Sequence, residues 1–260
     1  MLNIIKNRAR SQCELDEFVD YVRSEVDFSD QDSIYSCADM LGRLQLNRNF
    51  LIEYVINELE KGLTNFEIHN RYTPPCLVLA SGPDFMVRAN LWRATKDYER
   101  MDINTYGLAH DHNFDFLTIN YLGPGYVSNM FLYDNNKVHG YIGEKVELIN
   151  NGQLRLADGE MYLYRKSLDV HEQLPPIADS ITINVMATLR SSASRNQYIF
   201  DTRRSEIIDV FGGFHRQEHV YAMALSLNNE ECNDLMKSIA LSTECGLTRS
   251  YLLSSLGIYF

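Results

Sequence analysis

Near the N-terminus, apolar positions recur at helical spacing. Leu15, Phe18, Val19, Val22 and Val26 fall on one stripe within residues 14 to 26, the pattern of an amphipathic helix. Ser29 to Leu46 predicts a second helix with Ile34, Ala38 and Leu41 turned inward. A third is expected from about Asn49 to Lys61, with Phe50, Val55, Ile56 and Leu59 at helical spacings and Gly62 placed to stop it. These helices form either a subdomain of their own or a cover over one open face of a β-barrel, and the pattern favours neither.

From Phe66 the texture changes to short β-rich runs. Cys76 to Ala80 and Phe85 to Ala94 read as strands separated by the turn residues Ser81-Gly-Pro-Asp84. Gly123-Pro124-Gly125 makes a turn, Tyr126 to Asp134 reads as the return strand, and Asp134-Asn-Asn-Lys137 as a hairpin turn. Glu144 to Ile149 and Leu154 to Ala157 predict a hairpin about Asn150-Asn151-Gly152, because Asn-Gly is a strong two-residue turn signal. Asp158-Gly159-Glu160 turns into Met161 to Arg165, and Ser180 to Ala187 alternates Ile181, Ile183 and Val185 with Thr182 and Asn184. Gln197 to Asp201 gives a last strand. Short strands at roughly ten-residue spacing, without helices between them, argue for an antiparallel barrel or sandwich. Helical patterns return at about Asn229 to Leu241 and Thr248 to Leu256. The chain therefore divides into an N-terminal helical extension (1–65), a β-barrel (66–202) and a C-terminal mixed or helical segment (203–260).

Charge narrows the partners. The formal net charge of −11 in 260 residues opposes general nucleic-acid binding, which needs Lys and Arg to displace phosphate counterions, and docking on anionic membranes. Five scattered cysteines, Cys13, Cys37, Cys76, Cys232 and Cys245, include no C-x-x-C pair. Their odd number and spacing fit free thiols in a reducing compartment. No apolar run reaches the ~18 residues of a membrane span, so a cytoplasmic location is expected.

The most informative stretch is Gly107-Leu-Ala-His110-Asp-His112-Asn-Phe-Asp115-Phe, followed by the apolar run Leu117 to Tyr121. Side chains two residues apart on an extended backbone share a side, so His110 and His112 can supply two imidazoles from one wall of a sheet. That is half of a first-row transition-metal site. His171, in Leu168-Asp-Val-His171-Glu-Gln-Leu-Pro175-Pro176, offers a third imidazole where a short strand runs into a proline turn. The alternative for each histidine is a hydrogen-bonding role inside a polar barrel.

His110-x-His112 followed far downstream by His171 resembles the cupin superfamily of small β-barrels, and within it the three-histidine, cysteine dioxygenase-like group. The resemblance spans roughly Arg88 to Met186. It implies a cupin-type antiparallel β-barrel (jelly roll) and a mononuclear metal on His110, His112 and His171, with Fe(II) best suited to O₂ chemistry and other divalent first-row metals able to occupy the site. The activity it implies is O₂-dependent oxidation, by dioxygenation or hydroxylation, of a small polar substrate such as an amino acid or derivative. The usual cupin carboxylate, four residues after the second histidine, is here Phe116. Either three histidines complete the site or Asp115 reaches in from a shifted backbone; the three-histidine group also lacks that carboxylate.

That group holds a substrate carboxylate with an arginine on a preceding strand, and here Arg88 and Arg93 flank Trp92. Arg88, Asn90 and Trp92 share one face by period 2 and Arg93 lies on the other, so at most one arginine lines a cavity; Arg88 is preferred. Tyr121, Tyr133, Tyr162 and Tyr164 are candidate proton donors, Tyr121 foremost. His215 and His219 have the i, i+4 spacing of helical zinc sites, but Gly212-Gly213 just before them predicts a loop and no H-E-x-x-H is present. Two other functions remain open: a redox-silent metal-dependent isomerase, epimerase or lyase, and a non-catalytic ligand-binding protein. A homodimer is also compatible with the sequence.

Overall fold

A computed structural model describes residues 2–62, 66–67, 76–95, 105–189, 192, 195–243 and 245–258. In chain order it contains β1 (Ile5–Lys6), α1 (Leu15–Glu25), α2 (Gln31–Ser36), α3 (Ala38–Leu46), α4 (Phe50–Glu60), β2 (Phe66–Glu67), β3 (Cys76–Ser81) and β4 (Phe85–Trp92). Next come β5 (Ala109–His110), β6 (Phe116–Leu122), β7 (Val127–Leu132), β8 (Ile149–Arg155), β9 (Glu160–Tyr164), β10 (Asp169–Leu174), β11 (Ser180–Ala187), β12 (Asn196–Asp201) and β13 (Glu206–Gly212). Three helices close the chain, α5 (Gly213–Ser226), α6 (Glu230–Ser242) and α7 (Gly246–Ser255).

The strands form two antiparallel sheets, one of seven strands in the order β1-β9-β6-β11-β4-β3-β2 and one of six in the order β13-β12-β5-β10-β7-β8. This is the mainly β, antiparallel two-sheet architecture expected, with helices at both ends. Alternation assigns the faces of the seven-stranded sheet. Val87, Ala89, Leu117, Ile119, Tyr121, Ile183 and Val185 project outward into one apolar cluster with Phe18, Val22, Ile34, Leu41 and Leu44 of α1 to α3. The N-terminal helices thus cover that sheet's outer face, where the strands would otherwise leave a row of branched side chains in water. Leu41 and Leu44 are fully buried there, and truncating either to Ala should cost about 2–5 kcal/mol.

The inner face is of another character. Trp92, Phe116, Tyr126, Met130, Tyr162 and Tyr164 form an apolar cluster there, but between them lie the buried polar side chains of Arg88, Asn90, Thr118, Thr182 and Asn184. Buried polar groups cost free energy unless they are paired. A sandwich interior this polar marks the place where chemistry can occur.

Several expectations are corrected. The hairpin about Asn150–Gly152 is instead one continuous strand, β8, paired with β7 along its length. Gly152, at φ +88°, takes up a register shift opposite Met130 and Phe131, so the Asn-Gly pair serves a bulge and not a reversal. The Gly123-Pro124-Gly125 turn does not return the chain alongside β6. Gly123 and Gly125 at φ +85° and +75° carry it across to the other sheet, where β7 pairs with β8 and β10. The single helix expected from Ser29 to Leu46 breaks at Cys37, whose N–H bonds to Ile34 O as α2 ends. The loop expected at His215 is the first turn of α5; His219 is exposed.

Candidate metal centre

Strand pairing places two of the three histidines directly opposite one another: His110 of β5 and His171 of β10 are cross-strand partners. β5 is held on its other side by β12, with Ile199 opposite His110. His112 lies just beyond the end of β5, so the i, i+2 spacing works although only the first histidine is in the strand. One nitrogen from each of the three lies within 4.8 Å of the others. The ring centroids are 4.3 Å apart for His110–His171 and 5.0 Å for each other pair.

Outer hydrogen bonds fix two of the ring tautomers. His110 Nδ1 donates to Leu108 O at 2.9 Å and His112 Nδ1 to Gln197 Oε1 at 3.3 Å, which leaves the Nε2 lone pair of each ring bare. His112 Nε2 and His171 Nε2 are 2.9 Å apart. Two metal–nitrogen bonds of about 2.0–2.1 Å at about 90° place their nitrogens about 2.9 Å apart. Without a cation, the same contact is satisfied by a proton on His171 Nε2 donated to His112. His171 Nδ1, buried without a hydrogen-bond partner, is then an unprotonated nitrogen. The donor set therefore fits a divalent first-row metal, with neutral imidazoles as ligands.

Electrostatics keep the rings neutral. Burial pushes the His110 pKa down. Burial, then the charges of His110 and Arg88, hold His112 well below the ordinary histidine range. His171 is lowered by burial and by His110 and His112. Neutral imidazole is the form that ligates.

No protein-family model matches the sequence, and no curated protein matches it. Among solved structures, the chain is similar to DMSP lyase DddQ from Ruegeria pomeroyi, at 9% identity over 72% of this chain and 79% of that one, with a TM-score of 0.32. A sugar phosphate isomerase of the cupin superfamily from Silicibacter pomeroyi matches at 11% identity over 56% of this chain and 85% of that one, TM-score 0.32. Hydroquinone 1,2-dioxygenase from Sphingomonas sp. with 4-hydroxybenzoate bound matches at 11% identity over 46% and 67% of the two chains, TM-score 0.30. Overlaps this shallow carry no activity across, so function has to be read from the site itself.

Of the residues singled out from sequence, Arg88 joins the histidines. It is buried and lines the same small pocket, about 30 Å³, as His110, His112 and His171. Arg93 points to the opposite face, exposed and paired with Asp179 at 3.1 Å. Asp115 does not reach the cluster. Its Oδ1 accepts from Gln31 Nε2 at 2.8 Å and from the Lys166 N–H at 2.9 Å, and Lys166 Nζ is 3.4 Å from its Oδ2. It ties α2 to the sandwich. The backbone makes no shift to bring it in; Phe116 faces inward instead, its ring 4.9 Å from that of His112.

Tyr121 is also elsewhere. It projects from the outer face of β6, where its hydroxyl donates to Asn47 O at 3.0 Å and its ring packs against Phe50. The period-2 rule places it opposite Phe116 and so outside the sandwich. Tyr133 donates to Asp111 Oδ2 at 2.7 Å on the far face of β5. Asp111 also accepts from the Tyr198 N–H at 2.6 Å, and burial pushes its pKa up to about 7. Tyr164 is the tyrosine beside the cluster, its ring 4.7 Å from that of His171. Its hydroxyl lies 3.3 Å from that of Tyr126, and burial holds both phenols protonated. Sequence reasoning missed Tyr126, Asn90, Gln173 and Asn184, all of which line the cavity. Polar residues on the inward period of β4, β10 and β11 were the available signal.

Proposed function

We propose that this chain is a metal-dependent enzyme that oxidises a small polar substrate with O₂, with His110, His112 and His171 as the metal ligands and Fe(II) as the working metal. The observation that carries this reading is the convergence of three neutral imidazoles, two buried and one half-buried, with no carboxylate among them in the described residues. When bound, such a metal supplies a Lewis-acidic, redox-capable centre with positions left for small ligands. The protein's own residues do the rest. Arg88 presents a guanidinium to the same cavity, suited to orienting an anionic substrate group. Phe116 and Tyr164 wall the histidines from bulk water, and the protonated Tyr126–Tyr164 pair can donate a hydrogen bond beside His171.

That tyrosine pair favours a second reading, in which the metal acts only as a Lewis acid and the pair relays a proton in an isomerisation or elimination. One experiment separates the two. Protein purified anaerobically, assayed for bound metal and reloaded with Fe(II), is offered small hydroxy-, amino- and thiol-carboxylates while O₂ uptake is followed. Substrate-dependent uptake is expected; substrate conversion under nitrogen instead selects the second reading, and absence of bound metal rejects both.

A further inference from the structure

We infer that the groove between α4 and the seven-stranded sheet is a dimer interface, in which α4 packs antiparallel against α4 of a second copy of this chain. Ile52, Val55, Ile56 and Leu59 stand at i, i+3, i+4 and i+7 of the helix, so they form one stripe along its side. Phe50, Leu51 and Glu58 are buried and hold α4 to its own chain. The stripe is not used in that way, and its four residues are between 38% and 62% exposed. Ile52, Val55 and Ile56 make one wall of a groove of about 700 Å³. The opposite wall is the end of the sheet, where Leu122 of β6 and Ile181 of β11 are cross-strand partners; Leu122 too is exposed. The charged side chains among the described lining residues, Arg48 and Asp158, pair with each other at 3.0 Å. The groove therefore asks for an apolar partner and offers no uncompensated charge to an acidic or basic one.

Area and symmetry both point to a second copy. At about half exposure, the four stripe residues and Leu122 each leave on the order of 100 Å² in water, about 500 Å² together, which is the range of the largest apolar patches on monomeric proteins. An interface of ordinary size buries about 800 Å² per partner, and in homodimers about 65% of that is apolar. The patch thus matches the apolar share of one homodimer interface. An isologous contact also requires a surface that complements itself. Reversing α4 about a two-fold axis sets Ile52 against the partner's Leu59 and Val55 against the partner's Ile56. Apolar then meets apolar at every level of the stripe.

The test is sedimentation equilibrium of the full chain over a wide range of micromolar concentrations, where the wild type should be a dimer. Val55→Lys and Ile56→Glu should each weaken the dimer by about a hundredfold or more, because each places an unpaired charge at its centre. Combined in one chain they should restore it to within about tenfold of the wild type, since the two-fold axis sets each new ammonium against a new carboxylate of the partner. Both positions are exposed in a single copy, so the fold should survive, which circular dichroism checks. Ile52→Arg, at the end of the stripe, should also weaken the dimer and stands in for a central variant that misfolds. A wild-type chain that stays monomeric overturns the inference and leaves the groove to another occupant. A dimer that survives the single changes has its contact elsewhere and overturns it too, as does a dimer that the combined change fails to restore.

Discussion

Mild acid should destabilise the metal-free protein. His110, His112 and His171 are held neutral when folded, chiefly by burial, to which neighbouring histidines add for His112 and His171, whereas the ordinary histidine value is 6.5. Below that value the unfolded chain takes up protons that the folded chain refuses. The stability they contribute is therefore complete above pH 6.5 and is lost as pH falls. A histidine that stays fully neutral costs about 1.4 kcal/mol per pH unit in that range, so three set a ceiling of about 4 kcal/mol between pH 6.5 and 5.5. Asp111 opposes them. Its folded value of about 7 against 3.8 means that the folded state holds the extra proton in this window, a gain of about 1.4 kcal/mol per unit. The net ceiling is a loss of about 3 kcal/mol, or roughly 6–12 °C in Tm for a chain of this size. The assay is thermal unfolding of chelator-stripped protein at pH 6.5, 6.0 and 5.5. Asp111→Asn, which removes the opposing group, should make the fall steeper. A Tm that is flat across the window would refute the reasoning.

The other predictions are simpler. His110→Ala, His112→Ala and His171→Ala should each lose most of the bound metal by elemental analysis, since two remaining ligands hold a metal poorly; near-full occupancy in all three would make these structural histidines. Asp115→Ala should keep its metal and lose about 1–3 kcal/mol of stability in urea unfolding, because it strands Gln31 and Lys166. Arg88→Lys should raise KM while Arg93→Lys leaves it unchanged, because only Arg88 lines the cavity. Tyr121→Phe should retain full activity and lose about 0.5–1.5 kcal/mol with its bond to Asn47.

Which features are legible in the sequence depends on which interactions are local. The two-residue period assigns Arg88 and Arg93 to opposite faces and puts His110 and His112 on one side, since strand direction alone settles such matters. The same rule, applied from Phe116 to Tyr121, removes Tyr121 from the site. Asn150–Gly152 misleads because a turn signal and a bulge signal share the same residues; only the pairing with β7, distant in sequence, decides between them. Likewise, Gln31 and Asp115 are 84 residues apart, and no local pattern announces that bond. Asn90 and Gln173 look like ordinary strand residues until two sheets close around them and leave one atom of each unserved.

β5 has consequences beyond its two residues. It is a wedge seated between β10 and β12, and its register acts as a selector of donor chemistry. Sliding it by one position would turn His110 out and swing Asp111 in, replacing an imidazole by a carboxylate. The site would then be anionic, with a taste for harder cations and a different reactivity. The Tyr133 hydroxyl and the Tyr198 N–H grip Asp111 on the far side and act as the catch against that slip. The nitrogen-only character of the centre is thus guarded by residues that never face it, and a library that loosens that grip is where a changed metal preference should first emerge.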